Sequence, residues 1–195
     1  MSTFIYMVRH GESPKEGNET TRELTKKGQT NAHQIAEILK AEEIDVVISS
    51  PYIRSVLTVE RLAHQIDEEI LVFEDLKERK FSTEDTRVSD NELFPLLERS
   101  FLEPNYALGG GESNVDCQKR AVKVLKELLT TYVEKKVVIG THGVVMTLMM
   151  GFYDKKYDLN FLYNTSKPDI YKMEFSGHEL VDVQRLWSES MRADY

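Results

Sequence analysis

Three short apolar stretches, residues 4–8, 45–49 and 136–140, constrain this chain more than any other feature. Each is rich in β-branched or aromatic side chains and too short for a buried helix, so each reads as a strand. Between them lie longer segments with helical periodicity, residues 28–42, 55–65 and 114–132. Strands that alternate with helices pair in parallel through crossovers. The expected fold is therefore α/β: a mostly parallel central sheet with helices on both faces, a three-layer αβα sandwich. At 195 residues the chain suffices for one domain with a sizeable core, and nothing in the middle reads as a linker, so residues 1–195 are expected to form a single domain. It has no internal repeat and no low-complexity tract.

The residues just after each strand carry the chemistry, because ligands of open α/β sheets bind at the carboxyl ends of strands. The first strand leads into Arg9-His10-Gly11. The second leads into Ser50-Pro51-Tyr52-Ile53-Arg54, where a serine cap and a proline are expected to open a helix with Arg54 in its first turn. The third leads into Thr141-His142-Gly143 and an apolar helix over residues 144–150. Taken singly, each has an ordinary explanation in loop polarity, a solvated arginine or a structural histidine. Together they bring two guanidiniums and two imidazoles to one edge of the sheet, which packing does not require. A phosphate monoester carries about two negative charges near neutral pH. Arg9 and Arg54 suit its oxygens with planar, multidentate donors that lysine lacks. A neutral His10 can attack phosphorus and form a phosphohistidine. His142 suits a donor to the charge spread over the equatorial oxygens. A leaving alkoxide also needs a proton, and the water that attacks next needs a base. One carboxyl group can serve both in turn.

The Arg-His-Gly-Glu-Ser start, the Ser-Ser-Pro-x-x-Arg segment and the Thr-His-Gly segment resemble the histidine phosphatase superfamily, the phosphoglycerate mutase-like group. Leu24-Thr25-Lys26-Lys27-Gly28, Leu76-Lys77-Glu78-Arg79 and Gly110-Gly111-Glu112-Ser113 match further family motifs in the family's order, so the resemblance covers nearly the whole chain. It implies a phosphoglycerate mutase-like fold, His10 as nucleophile, and Arg9, Arg54 and His142 as the phosphate pocket, with Gly11 and Gly143 beside them. It also implies Glu78 as general acid and base, with no cofactor and no metal. Composition alone reads Glu78 as one surface carboxylate in a charged stretch, with Glu74, Glu84 and Asp85 as substitutes. The chain departs from the family pattern at two places. Phe81-Ser82 stands where a glycine usually follows the acid. Relatives often place an asparagine six residues after the nucleophile, whereas Glu16 occupies that position and Asn18 is the nearest candidate for the contact. The first loop is acidic, which argues against a bisphosphorylated glycerate as the usual ligand.

The formal net charge of -8 argues against nucleic acid or an anionic membrane as partner, but not against a small phosphorylated metabolite met by local arginines. The single Cys117 excludes an intrachain disulfide and, on its helix, reads as a packed or surface thiol. The first strand has no basic-then-apolar leader before it, so a cytoplasmic location is the default expectation. Residues 82–108 form an irregular insertion that either caps the pocket or carries a surface helix over residues 90–101. His33, His64 and His178 read as structural or solvated, and Met146, Met149 and Met150 as core fillers behind His142. The acidic tail over residues 189–195 reads as solvated or disordered. Four functions remain open: a phosphomonoesterase acting through phospho-His10, a mutase using the same residues, a metal-dependent hydrolase with His10 and His142 as ligands, and a module that only binds phosphate. The first accounts for most residues. The third lacks the ligand cluster that zinc requires. Oligomeric state is not legible from periodicity.

Overall fold

Alternation within the strands sends successive side chains into two separate cores, and these two cores set the positions of the helices. The computed structural model describes residues 1–188, so the acidic tail lies outside the described residues. In chain order the elements are β1 (Thr3–Arg9), α1 (Lys26–Lys40), β2 (Val46–Ser49), α2 (Ile53–Gln65), β3 (Ile70–Val72), a 3-10 turn (Glu74–Leu76), α3 (Asp90–Leu102), α4 (Asn114–Thr131), β4 (Lys136–Thr141), α5 (Gly143–Tyr153), α6 (Leu159–Asn164), β5 (Asp169–Ser176) and β6 (Glu179–Arg185). Tyr6, Val8, Val47 and Val138 pack with Ile35, Leu39, Val59 and Leu62 of α1 and α2 on one face. Ile5, Met7, Ile48 and Ile139 pack with α4 and α5 on the other. Burial on both faces explains why these strands are apolar without interruption. The three-layer αβα arrangement is the one expected.

The sheet order is β3-β2-β4-β1-β5-β6. Strands β1 to β4 pair in parallel, while β5 runs antiparallel to β1 and β6 antiparallel to β5. β4 lies between β2 and β1, so the three predicted functional strand ends are neighbours. Register makes them level: Arg9 stands opposite Thr141, and Ser49 opposite Gly140. Because β5 is antiparallel, its start, Asp169, stands opposite Arg9 at the same edge.

Helix starts differ in how they are capped. Thr25 caps α1 by accepting from the Gly28 N–H at 3.1 Å, and Ser113 caps α4 by accepting from the Asp116 N–H at 3.1 Å. The serine cap expected on α2 is absent. That helix starts after Tyr52 with no side-chain cap: Ser50 Oγ lies 2.6 Å from His142 Nε2 and accepts from the Tyr52 N–H at 3.3 Å, short of the first helical N–H groups. Gly28 lets the loop after His10 cross the first turn of α1, since a Cβ there would stand 2.2 Å from the Glu12 carbonyl oxygen. Met146, Met149 and Met150 are fully buried, as expected. Cys117 is also buried, and burial pushes its thiol far above the usual range, so it is a packed and unreactive group. No helix among the described residues is long and apolar enough to cross a membrane.

Candidate active site

The edge defined by β2, β4 and β1 opens into a cleft of about 630 Å³, and His10 lies at its floor, 5 % exposed. The His10 Nδ1 lies 2.7 Å from the Gly11 carbonyl oxygen. A carbonyl only accepts, so Nδ1 carries the ring proton and Nε2 keeps its lone pair. That lone pair accepts from Arg54 Nε at 3.2 Å. Burial first, and then the fields of Arg54 and Arg9, hold the imidazole well below the usual histidine range, so it is neutral near pH 7. The backbone is pinned as well: the His10 N–H donates to the Thr141 carbonyl at 3.0 Å.

Arg54 comes from the first turn of α2, as expected, and is 1 % exposed. Its Nη1 donates to the Glu19 carbonyl oxygen, and its Nη2 to Glu19 Oε1 at 2.6 Å. Burial lowers this guanidinium to about 10, against the opposing field of Glu19, and leaves it charged at neutral pH. Its cation also faces the Tyr52 ring, 5.0 Å from the centroid. Arg9 donates from Nη1 to the Thr165 hydroxyl, while its buried Nε has no partner. Gly143 makes room for it: a Cβ there would stand 2.8 Å from Arg9 Cζ.

His142 is fully buried and does not line the cleft. Its ring sits behind His10, with centroids 5.3 Å apart, and edge-on to Tyr52 at 5.1 Å. Ser50 Oγ meets its Nε2 at 2.6 Å, and its buried Nδ1 is unpartnered. Glu78 lines the cleft and holds the start of α5. Its Oε2 accepts from the Val144 N–H at 3.0 Å, and its Oε1 from the Val145 N–H at 2.9 Å and the Arg79 N–H at 2.8 Å. A carboxylate at a helix N-terminus is favourable in itself, and its field reaches Arg9 and Arg54.

Besides His142, two predicted contacts do not reach the cleft lining. Asn18 Oδ1 is occupied by the Thr20 N–H at 2.9 Å, the Thr20 hydroxyl and the Thr21 N–H, so Asn18 closes its own turn and the next residue, Glu19, enters the site instead. The Gly11 N–H is committed to Thr58 Oγ1 at 3.0 Å, which ties the loop to α2. Ser50, Tyr52, Glu19 and Thr165 are site neighbours that the strand-end pattern did not single out. Ser50 and Tyr52 were within reach of that pattern, being in the same segment as Arg54.

The insertion expected over residues 82–108 contains α3, whose Leu93, Phe94 and Leu97 line the cleft opposite Leu162 and Tyr163 of α6. Phe94 and Tyr163 meet edge-on at 5.9 Å. At the rim, the Arg87 N–H donates to the Gly17 carbonyl at 3.1 Å, so the insertion and the first loop are joined. Cations outnumber carboxylates along the cleft, reversing the sign of the whole chain. Among the described residues, no group of three or more His, Cys, Asp or Glu side chains is gathered to hold a metal ion.

The family model described as "Histidine phosphatase superfamily (branch 1)" matches residues 5–183. A Bacillus subtilis (strain 168) protein described as the uncharacterized phosphatase PhoE is 27 % identical over 153 residues, which is 76 % of each chain. Among solved structures, mycobacterial glucosyl-3-phosphoglycerate phosphatase is similar with a TM-score of 0.77 at 18 % identity, over 95 % of this chain and 98 % of that one. Phosphoserine phosphatase from Entamoeba histolytica, in complex with 3-phosphoglyceric acid, is similar with a TM-score of 0.78 at 22 % identity, over 96 % and 98 %. At such identities the structural likeness bears on the fold. The family match, extending from the first strand to the last, shows that this chain belongs to the histidine phosphatase superfamily, branch 1.

Proposed function

We propose that the chain is a phosphomonoesterase that hydrolyses a small phosphorylated metabolite through a phosphohistidine on His10. The observation that carries this reading is the His10 ring. Its one proton is committed to Gly11, and its Nε2 lone pair faces the guanidinium that would hold the phosphate. In the first step Nε2 bonds to phosphorus as the ester P–O bond breaks, and protonated Glu78 gives its proton to the leaving alkoxide. In the second, Glu78 takes a proton from water, the water oxygen bonds to phosphorus, and the P–N bond breaks to release inorganic phosphate. The buried Arg9 Nε, which has no partner and belongs to a residue lining the cleft beside His10, favours an anion there. The insertion at 82–108 acts as the cap, since α3 forms one wall of the cleft. The phosphoserine and glucosyl-3-phosphoglycerate named for the similar structures are both small phosphorylated metabolites, which supports that substrate class.

The test is phosphate release from p-nitrophenyl phosphate and a panel of phosphorylated metabolites in excess EDTA, with His10→Ala alongside. Turnover should resist EDTA and fall by at least about a thousandfold in His10→Ala. Unchanged turnover in His10→Ala refutes the nucleophile. Abolition by EDTA assigns a metal-dependent reaction, and an isomerised product without free phosphate assigns a mutase.

A further inference from the structure

Most cations of the cleft are already matched. Lys15 and Arg87 share Asp90, Lys27 pairs with Glu12, Lys77 with Glu74, and Arg22 with Glu19. Among the described residues two lysines are not, Lys80 and Lys167, and of the two it is Lys167 whose field falls on His10 itself. Lys167 lines the cleft, and among the described residues its side chain has neither a hydrogen bond nor an ion pair.

The backbone that carries it is nonetheless fixed. Asp169, fully buried, accepts from the Ser166 N–H at 3.0 Å, the Tyr171 hydroxyl at 2.9 Å, and Arg185 Nε and Nη2 at 2.9 and 2.8 Å. These bonds clamp the residues on both sides of Lys167. Asp169 stands opposite Arg9 in the antiparallel ladder, so the chain just before it runs beside His10 and Gly11. The ammonium is close enough that its field falls on His10 and on Glu12. Enclosure in the cleft, with Arg9, Arg87 and Arg22 nearby, brings it down to about 8, so it remains largely charged at neutral pH. Arg54 is buried at the floor, whereas Lys167 is an exposed residue of the cleft lining. An unpaired cation on a fixed backbone, crowded by like charges, is a site that an anion relieves. The phosphate itself is already served at the floor by the two arginines.

We propose that Lys167 determines specificity by taking a second anionic group of the substrate, a carboxylate or a second phosphate a few bonds from the phosphomonoester at His10. The proposal rests on the phosphatase reading for the reaction, while its binding prediction stands apart from turnover. Three matched pairs test it: phosphoserine against phosphoethanolamine, 3-phosphoglycerate against glycerol 3-phosphate, and fructose 1,6-bisphosphate against fructose 6-phosphate. The wild-type chain should prefer the doubly anionic member of at least one pair, and the carboxylate pairs against the bisphosphate pair identify the group. Lys167→Met should shrink that preference by about ten- to a hundredfold, the loss of a charge-assisted hydrogen bond, and Lys167→Arg should retain it. The same pairs titrated calorimetrically into His10→Ala, with and without Lys167→Met, give the preference as a ratio of Kd values with no turnover. Equal loss on both members of a pair would place Lys167 on the phosphate and overturn the proposal. A wild-type chain with no preference, or with no binding of any member, overturns it too. Turnover that survives His10→Ala sinks the phosphatase mechanism while leaving the Lys167 ratio readable.

Discussion

Glu19 occupies the donors that a phosphate needs, and its removal should have opposite effects on the empty and the anion-bound protein. Its carboxylate takes Arg54 Nη2 at 2.6 Å and Arg22 Nη2 at 3.1 Å. Phosphate must displace it. In Glu19→Gln the buried Arg54 loses its charge partner but keeps the Glu19 backbone carbonyl. Breaking a fully buried pair is worth about 3–5 kcal/mol. Glu19 is 25 % exposed and the carbonyl remains, so about 2 kcal/mol is the reasonable share. For a chain of this size that lowers Tm by about 4–8 °C in phosphate-free buffer. The bound state never used the Glu19–Arg54 pair, so the same energy reappears as tighter anion binding, up to about thirtyfold. The assay is thermal unfolding across a phosphate titration, with the inhibition constant of phosphate against p-nitrophenyl phosphate. Glu19→Gln should melt lower without phosphate and converge on the wild type at saturation. A variant that melts lower at every phosphate concentration and binds phosphate more weakly would show that Glu19 supports the bound state, and the displacement argument would fail.

Three further outcomes rest on the same geometry. In Glu78→Gln, turnover of alkyl phosphates should fall by about a hundred- to ten-thousandfold. Nitrophenolate needs little protonation, so p-nitrophenyl phosphate should give a stoichiometric burst and then stall. Equal loss on both substrates with no burst would remove Glu78 from the proton-transfer role. Burial, then the field of Arg54, holds His10 and His142 below the usual histidine pKa of 6.5, so below pH 6.5 the unfolded chain binds more protons than the folded one. Their contribution to stability is complete above pH 6.5 and is lost on acidification, by up to about 1.4 kcal/mol per pH unit for each ring. His142→Asn should therefore show a shallower loss of unfolding free energy between about pH 6.5 and 5 in urea titrations, and an unchanged slope would contradict the assignment. Gly143→Ala would drive a methyl group against Arg9 Cζ and lower kcat/KM by about ten- to a hundredfold with little change in Tm. Wild-type kinetics would show that Arg9 has room to move.

Three of the four parallel strands, β1, β2 and β4, were legible because each has a local signature, whereas the short and partly exposed β3 was not read. Isoleucine, valine and tyrosine runs buried on both faces leave no polar alternation, and the helices between them repeat at helical spacing. The same logic located Arg9, His10, Arg54 and His142, which are set by strand ends within a few residues of the runs themselves. The start of α2 shows where local reasoning loses to tertiary contact. Ser50 has the chemistry of a cap, yet His142, 92 positions later, meets its hydroxyl at 2.6 Å. Asn18 shows the converse. A polar side chain free to satisfy its own turn does so, and the neighbouring Glu19 is the one presented to Arg54.

Thr165 and Lys167 escaped notice for a different reason. A strand's residues specify that it pairs and which side chains face inward, but carry little record of direction. Read as one more parallel strand, β5 would present its far end, near Ser176, to the cleft. Its antiparallel pairing with β1 brings its start there instead, with Asp169 opposite Arg9 and the preceding Thr165 hydroxyl bonded to that guanidinium. Direction is decided by where α6 delivers the chain and by Asp169, whose buried carboxylate needs Arg185 from β6 and Tyr171 from β5 itself. A single reversed strand thus converts a segment with no recognisable motif into the wall beside the nucleophile. It also adds one cation to the cleft of an acidic chain: Lys167 is brought to the site by sheet topology, and no stretch of basic residues in the sequence announces it.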